Sequence, residues 1–153
     1  MRRTPLSSRA AGGDGAELWL DTNVVFRFLL GDDDAHSPEA ARLFERAAAG
    51  EVTLKLSVVV VMECCETLRH VMKLGKAPIA EALMAVMALR GVRAEERDIL
   101  ERALAVYGRR GRVDFVDAYL AQLALAKGPP HVVTFNVRDF DAAGLTARRP
   151  DAW

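Results

Sequence analysis

Only two cysteines occur among the 153 residues, and they are neighbours, Cys64 and Cys65. Adjacent cysteines are a poor match to disulfide geometry and there is no third, so a disulfide framework, a zinc finger and a CxxC redox pair are excluded. Both thiols read as small core hydrophobes, and the chain reads as intracellular. No apolar run approaches the ~18 residues of a membrane span, so no membrane partner is expected. Neither sign of charge is in excess, with 21 Lys+Arg against 21 Asp+Glu. Holding nucleic acid by bulk positive charge is therefore excluded, although a local basic patch is not. The three histidines, His36, His70 and His131, show no metal-ligand spacing, and neither GxSxG nor a P-loop occurs. Aromatics reach only 7%, but hydrophobic residues make up 51%, enough for one core without covalent staples.

Residues 1–16 stand apart. They carry Arg2, Arg3, Arg9 and the Gly12-Gly13 pair, and they lack the apolar stretch that a signal peptide places after its basic start. They are expected to form a mobile tail ahead of one domain over residues 17–153.

Within that domain strands and helices alternate. Glu17-Leu18-Trp19-Leu20 predicts a buried strand that stops at the polar turn Asp21-Thr22-Asn23. A short helix over residues 24–30 closes at Gly31, and Asp32-Asp33-Asp34 forms an acidic loop. Ser37-Pro38 predicts a helix start, with Ser as cap and Pro in first position. Residues 52–56 predict a second strand. Ser57 is expected to cap a long helix reaching residue 74, with Gly75 as its terminal glycine. Helices are expected at 78–89 and 94–107, a basic loop at 108–112, and a further helix from 113 to 127. A short buried strand is expected at 131–135, a loop or helical turn at 136–140, and a weak strand near 145–147. Such alternation predicts an α/β domain with a small central parallel sheet of about 4–5 strands, flanked on both faces by helices. Ligands in such folds sit at the carboxyl ends of the strands, which directs attention to Asp21, Ser57 and Asn136.

Acids recur at those places. Asp21 ends the first strand, where it could simply cap the next helix. Glu63 follows the apolar run Val58-Val59-Val60-Val61-Met62, a context in which an acid wants a partner or a path to solvent, and Glu66 one turn on is its substitute. Asp114 and Asp117 are spaced i, i+3 on one side of a helix start, Asp114 being also placed to cap it. Acids on separate elements that converge on one crevice cannot all stay ionised without a cation. Oxygen-only donors favour Mg²⁺ or Mn²⁺ over zinc, and the matching chemistry is metal-assisted attack of water on a phosphodiester. A phosphohydrolase of the haloacid type is set aside, because it wants an acid two residues after its nucleophile and Asp21 is followed by Thr22-Asn23. Arg109, Arg110 and Arg112 before the Asp114 helix, and Arg27 beyond Asp21, are candidate RNA contacts.

Leu20-Asp21-Thr22-Asn23, Glu63 in its helix, Asp114-Phe115-Val116-Asp117-Ala118-Tyr119-Leu120 and Thr134-Phe135-Asn136-Val137-Arg138-Asp139-Phe140 occur in that order. Together they resemble the PIN-domain nucleases, and among these the VapC toxins of bacterial toxin–antitoxin pairs, from Leu18 to the C-terminus. The resemblance implies a cytoplasmic, metal-dependent endoribonuclease that acts on RNA and is restrained by a cognate antitoxin. Asp21, Glu63 and Asp117 would be its metal-binding acids, and Asp114 a further site acid or a cap. Thr22 would support Asp21 by hydrogen bonding, and Thr134 would orient the fourth position. The family often has Asp at that position. This chain has Asn136, whose amide oxygen can coordinate without adding charge, and Asp139 is the candidate to compensate. A PIN-fold binding module with lost catalysis is the alternative that Asn136 favours. A homodimer is expected, because apolar residues within 78–107 exceed what one small sheet can cover and the family commonly pairs.

Overall fold

In a computed structural model, which describes residues 15–31 and 35–152, all strand pairs are parallel and helices connect them. The order is β1 (Ala16–Trp19), α1 (Thr22–Leu30), α2 (His36–Ala48), β2 (Val52–Leu56), α3 (Val58–His70), α4 (Lys76–Ala88), β3 (Val92–Ala94), α5 (Arg97–Arg109), α6 (Phe115–Lys127), β4 (Val132–Val133), α7 (Val137–Ala142) and β5 (Ala147–Arg148), with a 3₁₀ turn at Pro150–Ala152. The expected tail lies mostly outside the described residues, as does the acidic loop at 32–34.

The strands form two sheets, β1-β2-β3 and β4-β5. Leu18 pairs with Leu54, and Leu54 with Val92, so the three strands run level and finish together. Beyond the strands proper, Leu20 N–H donates to the Lys55 carbonyl (2.9 Å) and Glu95 N–H to the Leu56 carbonyl (2.9 Å). That ladder sets Asp21, Ser57 and Glu95 side by side on one edge.

β2 is the axis of the core. Val52, Leu54 and Leu56 point inward and are buried, and Thr53 and Lys55 between them are half-buried, the period of two that a pleated strand requires. Val61, Leu68, Ile79, Leu83, Met87, Leu100, Leu104 and Phe115, from α3 to α6, close over it. α1 and α2 pack together through stacked Phe28 and Phe44 rings, centroids 3.9 Å apart. Gly91 admits β3 to this arrangement. It has φ 85°, and a Cβ there would lie 2.3 Å from the Ala47 carbonyl oxygen.

Several expectations are corrected. β1 is not buried: among the described residues it pairs only with β2, at the edge of its sheet, and all four of its residues are exposed. Trp19 lies beneath the Lys55 ammonium instead, 4.7 Å from ring centroid to nitrogen. The strand expected at 131–135 shrinks to two residues, with Phe135 75% exposed beneath the Arg149 guanidinium. β3 was not foreseen, because Val92-Arg93-Ala94 is too short to show a period. Ala35, not Ser37, occupies the cap of α2, so Pro38 falls in its third position, where a missing N–H still costs nothing. α3 stops at His70 rather than residue 74, its end folded back by Leu74 N–H to the Leu68 carbonyl (3.0 Å). Gly75 therefore precedes α4 instead of ending α3. Among the described residues no helix is long and apolar enough to cross a membrane.

Candidate functional site

Asp21 caps α1. With extended backbone (φ −90°, ψ 154°), its Oδ2 accepts from the Asn23 N–H at 3.2 Å and its carbonyl from Val24 and Val25. Thr22, the first residue of α1, is 4% exposed. Its hydroxyl donates to Glu63 Oε2 on α3 at 2.7 Å. The expected support of Asp21 by Thr22 is thus replaced by support of Glu63, because burial turns Thr22 inward toward α3 while Asp21 stays at the surface. Glu63 is itself exposed, so the partner it needs is a hydroxyl rather than an arginine. Behind them burial pushes the Cys64 thiol up to about 12, with Glu63 and then Asp21 adding to the effect. Cys64 thus feels the charge of both acids. The shift also removes Cys64 as a thiolate nucleophile or ligand. Cys65 is buried and raised further.

The second half of the site comes from α6 and α7. Asp114 sits at the cap of α6 but makes no cap bond; its Oδ1 faces Lys76 Nζ at 3.3 Å. Asp117, one turn on, is half-buried. Burial first, then Asp139 and Asp114, hold its carboxyl above the usual range, and a hydrogen bond from Asn136 opposes them. The Asn136 backbone N–H donates to Thr134 Oγ1 at 3.0 Å, and its side-chain amide donates to Asp139 Oδ2. Arg112 Nε donates to the other oxygen of Asp139 at 2.7 Å. Asn136 and Arg112 together keep the Asp139 carboxyl below the usual range.

Sequence reasoning missed Lys76. Its ammonium donates to the carbonyls of Gly111 (2.9 Å) and Val113 (2.8 Å) and to Asp114, and it lies 5.1 Å from the centre of the Tyr107 ring. Its side chain is only 13% exposed. The signal was a cation in the first turn of a helix, where the macrodipole disfavours it and a partner must compensate. Glu95 and Glu96 were missed with β3. They line a cavity of about 400 Å³ with Val58 and Tyr119, and Glu96 adopts φ 46° while accepting from Tyr119 Oη at 2.9 Å and from Lys127.

Two groups thus assemble: Asp21, Thr22 and Glu63 from α1 and α3, and Arg112, Asp114, Asp117, Asn136 and Asp139 from α6, α7 and the turn before α6. Contacts of α3 with both α1 and α6 link the elements that carry them. Glu66 is spent on His70, 3.4 Å away. Arg27 lines a separate cavity of about 560 Å³ with Asn23, His36 and Glu39, and Arg110 ends α5 in the open. Among the described residues no three His, Cys, Asp or Glu side chains are drawn into a closed metal-holding group. The donors nevertheless fit a hard divalent cation in kind. They are oxygens, and Asp117 carries the strain of neighbouring acids that such an ion relieves.

A family model described as PIN domain matches residues 18–144. No curated protein and no solved structure matches the chain.

Proposed function

This chain belongs to the PIN-domain family, and from that premise, which carries nuclease-type chemistry, we propose that it is a metal-dependent endoribonuclease. The observation that carries the reading is Asp117: a half-buried acid raised by burial and then by Asp139 and Asp114, on the helix α6 that packs against the α3 of Glu63. Asp21, Glu63 and Asp117 would hold Mg²⁺ or Mn²⁺, with Asn136 beside them. When bound, such an ion polarises a phosphodiester and makes a neighbouring water acidic enough to attack near neutral pH.

The chain's own residues do the rest. Thr22 keeps Glu63 aimed by donating to one of its oxygens, and no hydrogen bond among the described residues takes the other. Asn136 separates Asp117 from Asp139 with an amide, which lessens their repulsion. Asp114 is held back at the helix cap by Lys76, a residue that contributes charge without approaching the RNA. Arg112 supplies positive charge beside the acids, and Arg27 and Arg110, which stand apart from them, would meet a phosphate chain further along its path.

Arg27, Arg110 and Arg112 are offered as contacts only. The finer reading is that of a cytoplasmic toxin with a cognate antitoxin, supported by the order of the four motifs. A homodimer is retained on that resemblance, but not on its first ground. Ile79, Leu83, Val86, Met87, Leu100 and Leu104 are buried inside the protomer. Exposed apolar side chains elsewhere include Val59 on α3 and Val116, Leu120 and Leu125 on α6. The second reading, a binding module without catalysis, draws on the amide at position 136.

Purified protein incubated with a mixed-sequence RNA in Mg²⁺ or Mn²⁺, and in EDTA, tests the first reading. Cutting that needs metal and stops in Asp21→Asn and Glu63→Gln supports it; binding without cutting in either metal supports the second. Induced expression that halts growth in the wild type but not in Asp21→Asn supports the toxin role.

A further inference from the structure

Arg112 is fixed at both ends. Its backbone lies between Gly111 and Val113, whose carbonyls both accept from the Lys76 ammonium at 2.9 and 2.8 Å. The turn is tightened further by Val113 N–H to the Arg110 carbonyl at 3.0 Å. At its tip, Nε is spent on Asp139 Oδ1 at 2.7 Å, and the other Asp139 oxygen is held by the Asn136 amide. Yet the Arg112 side chain remains 58% exposed. Nε alone of its guanidinium donates to a partner among the described residues, which leaves the Nη donors available at the surface. A guanidinium is a rigid planar fork, so a carboxylate on one nitrogen fixes the direction of the rest. Asp139 lies on α7, which packs on the α6 that carries Asp117, so that direction is set beside the acidic group.

Resting on the nuclease reading, we propose that Arg112 is the clamp for a backbone phosphate of the nucleic acid, next to the scissile one, and that Asp139 is its positioning residue rather than a metal ligand. Both Asp139 oxygens are already committed, one to Arg112 and one to Asn136. The guanidinium beside Asp139 already neutralises its charge and repels a second cation. What the acid does is hold a guanidinium that would otherwise sample many rotamers, and so lower the entropic cost of gripping a phosphate. Lys76 does the same for the backbone beneath it. The arrangement reads charge and geometry only, so it takes any phosphodiester strand.

The test is binding of a short fluorescein-labelled single-stranded RNA, and of the same sequence as DNA, to the full chain in EDTA, where no cutting interferes. Arg112→Gln is expected to weaken binding of both about tenfold and to lower the slope of log affinity against log salt by about one. Asp139→Asn keeps the cation but frees it; binding weakens about threefold with the salt slope unchanged. The double variant should bind no worse than Arg112→Gln alone, because Asp139 acts through Arg112. Arg112→Lys should not rescue, since an ammonium on a flexible stem lacks the rigid planar fork whose direction Asp139 fixes. Circular dichroism and melting temperature certify each variant as folded, and Arg112→Lys replaces Arg112→Gln if that one is not.

The proposal is overturned if Arg112→Gln binds both strands like the wild type, or if only the RNA arm weakens, which would make the contact a 2′-hydroxyl. It is also overturned if Asp139→Asn binds RNA normally in EDTA while needing more metal to cut. The nuclease reading fails separately: a wild type that follows the expected binding series but cuts nothing in Mg²⁺ or Mn²⁺ leaves the clamp standing without it.

Discussion

The Thr22 hydroxyl donates to Glu63, 41 residues away in the chain, across 2.7 Å, while Asp21 next to it takes its hydrogen bond from the Asn23 backbone. Two acids of the proposed site are thus oriented by different devices, a buried side chain for one and a helix cap for the other. Thr22→Val keeps the shape and removes the donor. Cleavage should fall about tenfold, the worth of one charge-assisted hydrogen bond, and Thr22→Ser should restore most of it. Stability should barely move, because Glu63 is exposed and water replaces the lost donor. Initial rates on a single RNA substrate, beside urea unfolding, check both halves.

Asp117→Asn is expected to abolish cleavage and yet to raise the melting temperature by a few degrees in EDTA at neutral pH. The sign follows from its raised carboxyl. A carboxyl raised on folding contributes stability while it is protonated, and that contribution is lost as pH climbs from the ordinary carboxylate range through the raised value. Above that window the wild type carries an ionised group it would sooner discharge, and the amide does not. Melting curves taken in EDTA from acid to neutral pH should converge at the acid end and separate above it. Saturating Mg²⁺ should narrow or reverse the gap, and a gap unchanged by metal would argue against Asp117 as a ligand.

Asn136→Asp should reduce cleavage about tenfold and raise the metal concentration needed. The Asn136 amide donates to Asp139 and opposes the rise of the Asp117 carboxyl; a carboxylate offers no donor and adds a third negative charge. The double change Asn136→Asp with Asp139→Asn restores one amide beside one acid and should recover part of the loss. Metal titrations of cleavage for the wild type and both variants decide; a lower metal requirement in Asn136→Asp would show instead that the position wants charge.

Lys76→Met should destabilise the protein by about 1–3 kcal/mol, the cost of leaving bonded groups without their donor in a mostly buried position. It removes the donor shared by Gly111, Val113 and Asp114 and the charge over Tyr107. Hydrogen exchange should quicken over residues 111–117 before it does elsewhere. Lys73→Met, an exposed control, should unfold with the wild type in urea.

Gly91→Ala should cost about 2 kcal/mol or more. Its positive φ is strained for any side chain, and the new methyl would meet the Ala47 carbonyl at 2.3 Å, a backbone atom that cannot swing aside. Urea denaturation measures the loss, and cleavage at low temperature should survive it, since Gly91 lies at the entry end of β3, opposite the edge that carries the acids.

How much of this was readable beforehand depended on distance along the chain. The long helices α4, α5 and α6 were legible, because three or four apolar residues per two turns announce a helix from its own neighbours. Ser57 was legible as a cap for the same reason, and it accepts from the Val60 N–H at 3.3 Å. Asp21 was legible as an acid just past a strand. β3 was not, because three residues carry no period. Nor was the exposure of β1, since an apolar run looks the same in a central strand as at an edge, and only pairing distinguishes them.

The local text therefore determined that this is an alternating α/β chain, that its acids stand at strand ends and helix starts, and that oxygen donors of one kind recur in four motifs. Which acid is served by which neighbour was decided by tertiary structure alone. Thr22 to Glu63, Lys76 to Val113 and Arg112 to Asp139 span 41, 37 and 27 residues. Each pairing depends on how α1, α4 and α7 dock around α3 and α6. Closing such loops costs entropy that no local interaction repays. Burial of β2 and its helices supplies it, and the polar partners meet only where that packing brings them together.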